Sequence, residues 1–317
     1  MNILVTGGAG FIGSQCTIDL IKRGHNVRVL DNFRRGKTSR LRHYSKDCEF
    51  VNGDIRNLNT VKKCLKKIDV VYHLAYINGT KNFYSHPYEI MEVGIKGIYN
   101  IFDCFKKKPI EHFILASSSE VYQSADIIPT PEEIEHKIPD VKNPRFSYGG
   151  GKIISELVAI HSMPKLFNKL TIFRPHNVYG PNMGFDHVIP ELILKIKKIA
   201  SKKILTIQGS GNETRSFIYI DDLISSLNLS VKNTKHIDIY HLGTSEEIKI
   251  KHLAKKILKL TKNNSIKINP SAKTTGSTNR RCPDISKIEK IGFKQKVSLD
   301  EGLLKTIDWY YKNTSLS

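Results

Sequence analysis

The stretch NILVTGGAGFIG, residues 2–13, decides the fold of this 317-residue chain. Its first five residues form a short apolar run typical of a strand, and residues 11–23 carry apolar side chains at helical spacing. Three glycines separate these two elements at a spacing of three residues: Gly7, Gly10 and Gly13. A glycine turn at this place lets backbone N–H groups approach a pyrophosphate at the helix N-terminus. The stretch therefore predicts a dinucleotide site.

Strand-like and helix-like segments continue to alternate through the first half of the chain. A second strand is predicted at residues 27–30 and ends at Asp31. Later strands are predicted at residues 50–51, 70–74, 113–116 and 170–173, with helices near 58–67, 88–105 and from Tyr148 onward. Each strand is followed by a helical crossover, so the strands are parallel and helices cover both faces. We predict an α/β fold with a Rossmann-type doubly wound parallel sheet.

The alternation weakens after residue 175, where prolines mark turns and the elements become shorter. Short elements are predicted near residues 205–207, 217–220 and 239–242. We therefore predict a dinucleotide-binding domain over residues 1–175. Residues 176–317 form mainly a smaller, interleaved substrate-binding domain, with some elements returning to the first sheet.

The amino-acid composition of the chain bears on which partners it can bind. The chain has 50 Lys and Arg against 30 Asp and Glu, a formal net charge of +20. The lysines are spread along helix-like segments without a recognition motif, so we expect a solvated basic surface and no nucleic-acid site. Such a surface also attracts an anionic, phosphate-bearing substrate. No apolar run approaches the roughly 20 residues that cross a bilayer, so we expect no membrane contact and a cytoplasmic protein.

The five cysteines are scattered, odd in number and never in a Cys-x-x-Cys pair. This pattern fits reduced thiols and predicts neither a disulfide framework nor a metal site.

The acid at the end of the second predicted strand bears on the choice of dinucleotide. Asp31 is placed to accept both hydroxyls of an adenosine ribose, and a 2′-phosphate would meet its carboxylate, so we expect NAD. Arg34 and Arg35 leave open a contact with such a phosphate. Asp54 and Ile55 follow a short strand and either flank the adenine or, for Asp54, form a helix cap or loop.

Tyr148 and Lys152 are the residues that imply chemistry. They stand one helical turn apart, downstream of the run Ser118-Ser119-Glu120-Val121-Tyr122. A tyrosine beside a lysine cation can serve as an acid and base near a bound dinucleotide. Together with the glycine turn, the pair indicates a redox enzyme. A dinucleotide-binding regulator without turnover is the remote alternative, although it would not need these side chains.

These motifs together resemble the extended short-chain dehydrogenase/reductase family, in its nucleotide-sugar epimerase, dehydratase and decarboxylase branch. The ordered matches cover nearly the whole chain: residues 6–13, 31–33, 53–55, 73–75, 117–122, Tyr148 with Lys152, 174–181, 215–222 and 280–284.

The resemblance implies that Tyr148, as phenolate, takes a proton from a sugar hydroxyl while hydride passes from carbon 4 to NAD. It implies that Lys152 lowers the pKa of Tyr148 and binds the nicotinamide ribose, and that Ser118 bonds the reacting oxygen. Glu120 would be a base or stabiliser. The implied cofactor-binding set is Gly7, Gly10, Phe11, Ile12, Gly13, Asp31, Asn32, Asp54, Ile55, Leu74, Ala75, Tyr148 and Lys152.

The resemblance also implies a nucleotide-diphosphate sugar as substrate, with arginine forks suited to the diphosphate. Arg280 either shares this role or faces solvent. The helix after Tyr148 has two apolar stripes, which favour either a homodimer or enclosure within its own domain. The substrate-binding set is Ser119, Asn177, Val188, Arg215, Arg280 and Arg281.

Three places depart from the family pattern. Gly151 precedes the lysine where many relatives have serine, Gly94 replaces a frequent asparagine, and Gln123 replaces a frequent glycine. The run of glycines at 149–151 costs helix stability, about 0.5–1 kcal/mol each relative to alanine. One interpretation is that these glycines admit a bulky sugar close to the backbone.

The pair Ser119-Glu120 bears on the reaction. In the 4,6-dehydratases of the family that this chain resembles, the pair at this place is typically Asp-Glu. Ser119 stands here in place of the aspartic acid, and the loss of that acid argues against dehydration. Ser-Glu, with Pro144-Arg145 before the tyrosine, is also similar to UDP-glucuronate decarboxylases. We expect an epimerase that oxidises the sugar at carbon 4 and returns the hydride, with decarboxylase, 4,6-dehydratase and 4-dehydrogenase as alternatives.

Overall fold

The computed structural model describes residues 1–106, 108–163, 165–199, 203–272 and 276–314. The strands within these ranges are β1 (Asn2–Thr6), β2 (Asn26–Asp31), β3 (Cys48–Asn52), β4 (Val70–His73), β5 (Ile110–Ala116), β6 (Phe167–Pro175), β7 (Val178–Tyr179), β8 (Ile204–Ile207), β9 (Thr214–Ser216), β10 (Ile218–Tyr219), β11 (Ile237–Leu242), β12 (Glu247–Lys249) and β13 (Lys267–Pro270). The α-helices are α1 (Phe11–Lys22), α2 (Leu58–Cys64), α3 (Thr80–Ser85), α4 (Pro87–Phe105), α5 (Ser147–Ser162), α6 (Val188–Lys198), α7 (Ile220–Asn233), α8 (Ile250–Leu260), α9 (Ser286–Lys290) and α10 (Leu299–Asn313).

The main sheet has seven strands in the order β11-β6-β5-β4-β1-β2-β3. Every neighbouring pair in it is parallel. From β1 the chain adds β2 and β3 on one side and then β4, β5 and β6 on the other, so the direction of strand addition reverses between β1 and β4. In doubly wound sheets, ligands bind outside the carboxyl ends of the strands at such a reversal. The predicted Rossmann-type sheet is confirmed.

The sheet separates two hydrophobic cores because successive residues of a strand point to opposite faces. In β1, Ile3 and Val5 belong to one core, while Leu4 belongs to the other. Val5 and Leu4 are completely buried. This burial on both sides explains why β1 appears in the sequence as a continuous apolar run.

Strands from the last third of the chain occur both in the main sheet and in small sheets outside it. β11 pairs with β6 at the edge of the main sheet. Three small two-stranded sheets, β10 with β7, β12 with β9 and β13 with β8, lie outside the main sheet. The short elements predicted after residue 200 therefore divide between the main sheet and these three small sheets. We call the three small sheets, with the chain segments that pair with them, the C-terminal layer.

Several predicted boundaries differ from the structure; for example, the strands expected at 113–116 and 170–173 are longer, at Ile110–Ala116 and Phe167–Pro175. The helix expected to reach residue 67 ends at Cys64, since Leu65 is its C-cap and Lys67 adopts a φ of +60°. The element expected over residues 217–220 is a two-residue strand, and Ile220 already begins α7. Within the described ranges, no helix is both long and apolar enough to cross a membrane.

Candidate active site

The glycine turn joins β1 to α1 at the centre of the sheet. Gly7 adopts a φ of +69°, and a Cβ atom there would lie 2.8 Å from the backbone of Ala75. A Cβ atom at Gly13 would overlap the carbonyl oxygen of Gly7, so only glycine lets α1 approach the turn this closely. Gly10 caps α1 without a side-chain hydrogen bond. The first turn of α1 thus presents backbone N–H groups, as the pyrophosphate of a dinucleotide requires.

One cavity of about 1040 Å³ extends from this turn to the C-terminal layer. It is large enough for more than one small-molecule ligand. All but one of the predicted site residues line it: Gly7, Gly10, Phe11, Ile12, Gly13, Asp31, Asn32, Asp54, Ile55, Leu74, Ala75, Ser118, Ser119, Glu120, Tyr148, Lys152, Asn177, Val188, Arg215 and Arg281.

Asp31 is fixed at the end of β2 by backbone donors. The N–H of Ala9 donates to its Oδ2 at 2.9 Å, and that of Phe33 to its Oδ1 at 2.8 Å. Burial raises the pKa of Asp31, and these two hydrogen bonds oppose the rise. The neighbouring arginines are engaged elsewhere, Arg34 with Glu89 and Arg35 with the carbonyl of Asn78. The site therefore presents a carboxylate where a 2′-phosphate would lie.

Asp54 lines the cavity but does not cap a helix. The cap of α2 is Asn57, whose side chain accepts from the N–H of Thr60. Asp54 instead accepts hydrogen bonds from Asn32 and Arg56. Its hydrogen bonds with Arg56, opposed by burial, lower the pKa of Asp54 to about 2. The cap interpretation for Asp54 is wrong, and the residue lies in the loop before α2.

Tyr148 lies at the start of α5 and is enclosed by aromatic rings. It stacks on Phe83 with ring centroids 5.1 Å apart, and it packs against Tyr76 at the same centroid distance with the two ring planes at 87°. Burial raises the pKa of Tyr148 above its ordinary value, while a hydrogen bond with Ser118 and the charge of Arg35 act in the opposite direction. Ser118 precedes the turn at 119–121 and lies beside Tyr148, while its predicted role toward the reacting oxygen stays a prediction.

Lys152 lies one turn after Tyr148 on α5, where it is buried from solvent and borders the cavity. Its Nζ donates to the carbonyl oxygen of Ala116 at 2.6 Å and lies 5.8 Å from the Tyr148 ring centre. Burial lowers the pKa of Lys152 to about 7, and the charge of Glu156 opposes this change. Whether Lys152 is charged near neutral pH therefore depends on the groups that contact it or lie beside it.

Glu120 is paired with arginine. Its Oε1 accepts from Arg281 at 2.7 Å, and Arg145 lies 3.9 Å from Oε2. Burial alone would raise the pKa of Glu120, but the charges of Arg281, Arg145 and Arg215 hold it at about 2. A carboxylate held in this way is a weak base at neutral pH.

The remaining predicted substrate residues form the far wall of the cavity. Asn177 donates to the carbonyl of Ser216 at 2.8 Å, and Arg215 donates to the carbonyls of Thr214 and Thr278. Burial lowers the pKa of Arg215 to about 10, and the charge of Arg281 adds to this effect. Ser119 begins the short turn that carries Glu120, and Val188 begins α6.

Arg280 is the predicted residue that the structure excludes from the site. Its side chain is 54% exposed and pairs with Glu247 at 2.7 Å. Arg281, its neighbour, faces the cavity instead. Backbone bonds from Thr214 to Asn279 and from Ser216 to Arg281 hold this segment as an extended chain. Neighbouring side chains on such a chain point to opposite sides. The alternative that Arg280 faces solvent is therefore the correct one.

Neighbouring side chains of the protein occupy or crowd the space that a Cβ atom would need at residues 149–151. A Cβ atom at Gly149 would overlap the amide nitrogen of Gln123, and one at Gly151 would overlap the hydroxyl of Tyr76. A Cβ atom at Gly150 would lie 3.3 Å from Ile138. The interpretation that these glycines admit a sugar is wrong for Gly149 and Gly151, where the space is already filled.

Sequence reasoning missed several residues of this cavity. Tyr76, Arg35 and Arg145 all line it. Arg145 gave a signal in its position three residues before Tyr148. Sequence reasoning considers Arg35 only as a contact for a 2′-phosphate and not as a neighbour of Tyr148. Tyr76 gave no signal, since its place depends on contacts with segments distant in sequence.

The parallel sheet, the glycine turn and the Ser118, Tyr148 and Lys152 side chains around one cavity together define a dinucleotide-dependent enzyme of the short-chain dehydrogenase/reductase class. The chain belongs to the NAD dependent epimerase/dehydratase family, whose sequence model matches residues 3–243. NAD is thus the cofactor, as expected, and the residues of the cradle fit it.

Curated relatives and solved structures agree with this family. The chain is 31% identical to UDP-glucuronic acid decarboxylase 1 of Xenopus tropicalis, over 98% of this chain and 72% of the relative. It is 32% identical to a putative UDP-glucose 4-epimerase of Methanocaldococcus jannaschii, over 98% and 99%. The crystal structure of UDP-glucose 4-epimerase with UDP-glucose from Thermotoga maritima is 27% identical, covers 98% of this chain and 99% of its own, and has a TM-score of 0.86. The chain is thus similar to enzymes of different reactions.

Proposed function

We propose that this protein is a nucleotide-sugar epimerase that oxidises its substrate transiently at sugar carbon 4. The observation that carries the proposal is the pairing of Glu120 with Arg281, which leaves the carboxylate a weak base. Dehydration requires a base that removes a proton from the sugar ring, whereas epimerisation at carbon 4 does not. The putative M. jannaschii 4-epimerase, 32% identical, supports the same choice.

The proton and the reacting oxygen are handled by side chains of this chain. The glycine turn and Lys152 would hold NAD, which would supply an acceptor for hydride from sugar carbon 4 and a donor for its return. Tyr148 takes the proton of the carbon 4 hydroxyl, and Ser118, which lies beside Tyr148, turns its single O–H to donate to the same oxygen. Lys152 binds the nicotinamide ribose and favours the tyrosine phenolate by its charge. The aromatic wall around Tyr148 excludes water from the reacting atoms.

The diphosphate is held at the arginine side of the cavity. Three guanidinium groups surround the single carboxylate of Glu120, those of Arg145, Arg215 and Arg281. The carboxylate of Glu213 also acts on Arg215, so the arginines of this cluster outnumber these two carboxylates by one, and the positive excess suits the charge of a nucleotide diphosphate. Asn177 lies on the same wall and adds an amide donor.

A second reaction, decarboxylation of a nucleotide sugar acid, is favoured by the same arginine cluster. Arg145 and Arg281 would also neutralise a sugar carboxylate beside Glu120. Decarboxylation after oxidation at carbon 4 needs no ring base, so the low pKa of Glu120 does not oppose it. The relative from X. tropicalis is named as a decarboxylase. The proposal of an epimerase therefore has to be tested against uronate substrates.

The assembly we propose is a homodimer. α4 and α5 are neighbours that expose apolar side chains, with Tyr99 and Leu157 each 51% exposed. Apolar groups at this exposure on adjacent helices suit a contact between two copies. The domain division at residue 175 and the cytoplasmic location remain predictions.

A panel of UDP-, GDP-, CDP- and TDP-sugars, including uronates, tests the proposal. The purified protein with NAD is expected to convert at least one neutral sugar to a product of the same mass with a different chromatographic retention. Loss of carbon dioxide from a uronate would support the decarboxylase instead. Loss of water would contradict both reactions.

A further inference from the structure

Tyr76 forms an unusual wall beside Lys152. The Nζ of Lys152 lies 3.9 Å from the centre of the Tyr76 ring, well inside the range of a cation–π contact. The same ring packs against the Tyr148 ring, with the two ring planes nearly perpendicular. Tyr76 therefore contacts both of the residues to which the proposed chemistry is assigned.

Two glycines make room for this ring. An ideal Cβ atom at Gly94 on α4 would lie 2.5 Å from the ring carbon that bears the hydroxyl, and one at Gly151 on α5 would overlap the hydroxyl oxygen. These are two of the places where the sequence departs from the family pattern. Both departures have one physical reason, because any side chain at either place would push the ring away from Lys152.

The hydroxyl of Tyr76 does not explain why the ring is there. It is buried and has no hydrogen-bond partner among the residues that the structure describes. A buried hydroxyl without a partner costs stability. The favourable contacts of Tyr76 are therefore those of its ring, and the ring contacts Lys152 with its face.

Besides the Tyr76 ring, the Lys152 ammonium group has one backbone acceptor, the carbonyl oxygen of Ala116 at 2.6 Å, and few charged groups that favour its cation. Glu156, one turn further on α5, is the carboxylate that favours the cation, and it also pairs with Arg174 at 2.6 Å. His73 at the end of β4 faces Lys152, but burial lowers the pKa of His73 to about 3 and leaves it neutral. The pKa of the Tyr148 phenol is raised by burial, so Tyr148 supplies no fixed anion.

We propose that Tyr76 is a positioning residue whose ring face holds the Lys152 ammonium group, charged and in place, at the nicotinamide end of the cofactor site. Gly94 and Gly151 are the partners that this ring requires. The inference rests on the proposed role of Lys152 in binding the nicotinamide ribose, and it is independent of which sugar the enzyme converts.

Calorimetric titration of the protein with NAD between pH 5.5 and pH 9 measures NAD affinity against pH and so tests whether the Tyr76 ring holds the Lys152 cation. Since Lys152 has a pKa of about 7, wild-type affinity is expected to fall as the pH rises through this value. Tyr76→Leu is expected to move that fall to lower pH by about one unit, so that affinity drops about tenfold at pH 8 and less than about twofold at pH 5.5. Tyr76→Phe keeps the ring and is expected to restore the wild-type profile.

Lys152→Met identifies the titrating group, since its affinity is expected to lack the fall near pH 7. Equal losses of affinity at every pH in Tyr76→Leu would overturn the proposal, because a merely structural role lowers binding without shifting the profile. A Tyr76→Phe profile that matches Tyr76→Leu would also overturn it, since the hydroxyl would then be the active group.

Gly94→Ala displaces the ring without removing it. It is expected to shift the NAD profile in the same direction as Tyr76→Leu, and the double variant Gly94→Ala/Tyr76→Leu is expected to show no further shift. Additive shifts would contradict the account. Gly94→Ala by itself keeps the test valid if Tyr76→Leu folds poorly, because it keeps the tyrosine and far-ultraviolet circular dichroism reports the folding of each variant. Because NAD binding needs no sugar, failure here is distinct from failure to find an epimerase product.

Discussion

The Arg281 guanidinium donates a 2.7 Å hydrogen bond to the Glu120 carboxylate, across 161 residues of sequence. Glu120 comes from the turn after β5, whereas Arg281 comes from an extended segment of the C-terminal layer. The pair therefore joins the two parts of the molecule across the cavity. It bears on the proposed chemistry because, together with Arg145 and Arg215, Arg281 holds the pKa of Glu120 at about 2.

Replacement of Glu120 tests whether it acts as a base. Glu120→Gln is expected to lower kcat less than about tenfold, because the proposed reaction needs no ring base, whereas loss of a true general base costs about 10²–10⁴-fold. Steady-state kinetics with the identified sugar measure the change. A fall of more than a hundredfold in kcat with KM unchanged would indicate that Glu120 moves a proton.

Tyr148→Phe removes the group that takes the hydroxyl proton and keeps the ring that stacks on Phe83. The kcat is expected to fall about 10²–10⁴-fold, while affinity for NAD changes little. Turnover and NAD titration are measured on the same preparation. Wild-type turnover in this variant would show that another residue is the acid and base.

Two arginines of the same region offer a matched comparison. Arg215 lines the cavity, whereas the side chain of Arg280 is 54% exposed and pairs with Glu247. Loss of one charged hydrogen-bonding group that touches the diphosphate costs about 1.5–3 kcal/mol, so Arg215→Ala is expected to raise KM about 10–150-fold. Arg280→Ala should leave KM within about twofold. Equal effects would mean that the arginine wall does not bind the diphosphate.

The buried pair of Arg174 and Glu156 is predicted to stabilise the fold beneath the site. Their side chains are each 2% exposed and lie 2.6 Å apart, and Glu156 also accepts from Ser117. Arg174→Met leaves the Glu156 carboxylate uncompensated and is expected to lower the free energy of unfolding by about 3–5 kcal/mol.

Urea denaturation measures this loss, and Arg174→Met/Glu156→Leu is expected to recover part of it. The exposed pair of Lys256 and Asp300, 2.7 Å apart, supplies the control, since Lys256→Ala should change stability by less than about 1 kcal/mol. A loss at Arg174 no larger than at Lys256 would contradict the prediction.

The sheet and the central side chains of the site could be predicted because their signals are local. The apolar run of β1, the glycine turn and the spacing of Tyr148 and Lys152 each lie within a short stretch of sequence. Parallel strands bring their carboxyl ends to one edge, so residues after β1, β2 and β5 meet in one cavity. This geometry follows from the order of the elements.

Other features depend on contacts that no single stretch contains. Tyr76 and the two glycines come from the loop after β4, from α4 and from α5, and only the packed structure shows that they share one space. Likewise, the two neighbouring arginines at 280 and 281 look equivalent in sequence. The backbone pairing of their extended segment with β9 decides which of them faces the cavity.

The most direct test of the account is the reaction in heavy water, with hydroxyl deuterons washed out before mass spectrometry of the product. The account predicts an epimer with the mass of the substrate and no deuterium on carbon, because hydride leaves and returns at carbon 4 and Glu120 removes no ring proton. Deuterium at a carbon next to carbon 4 would contradict it, since a base would then act on the ring.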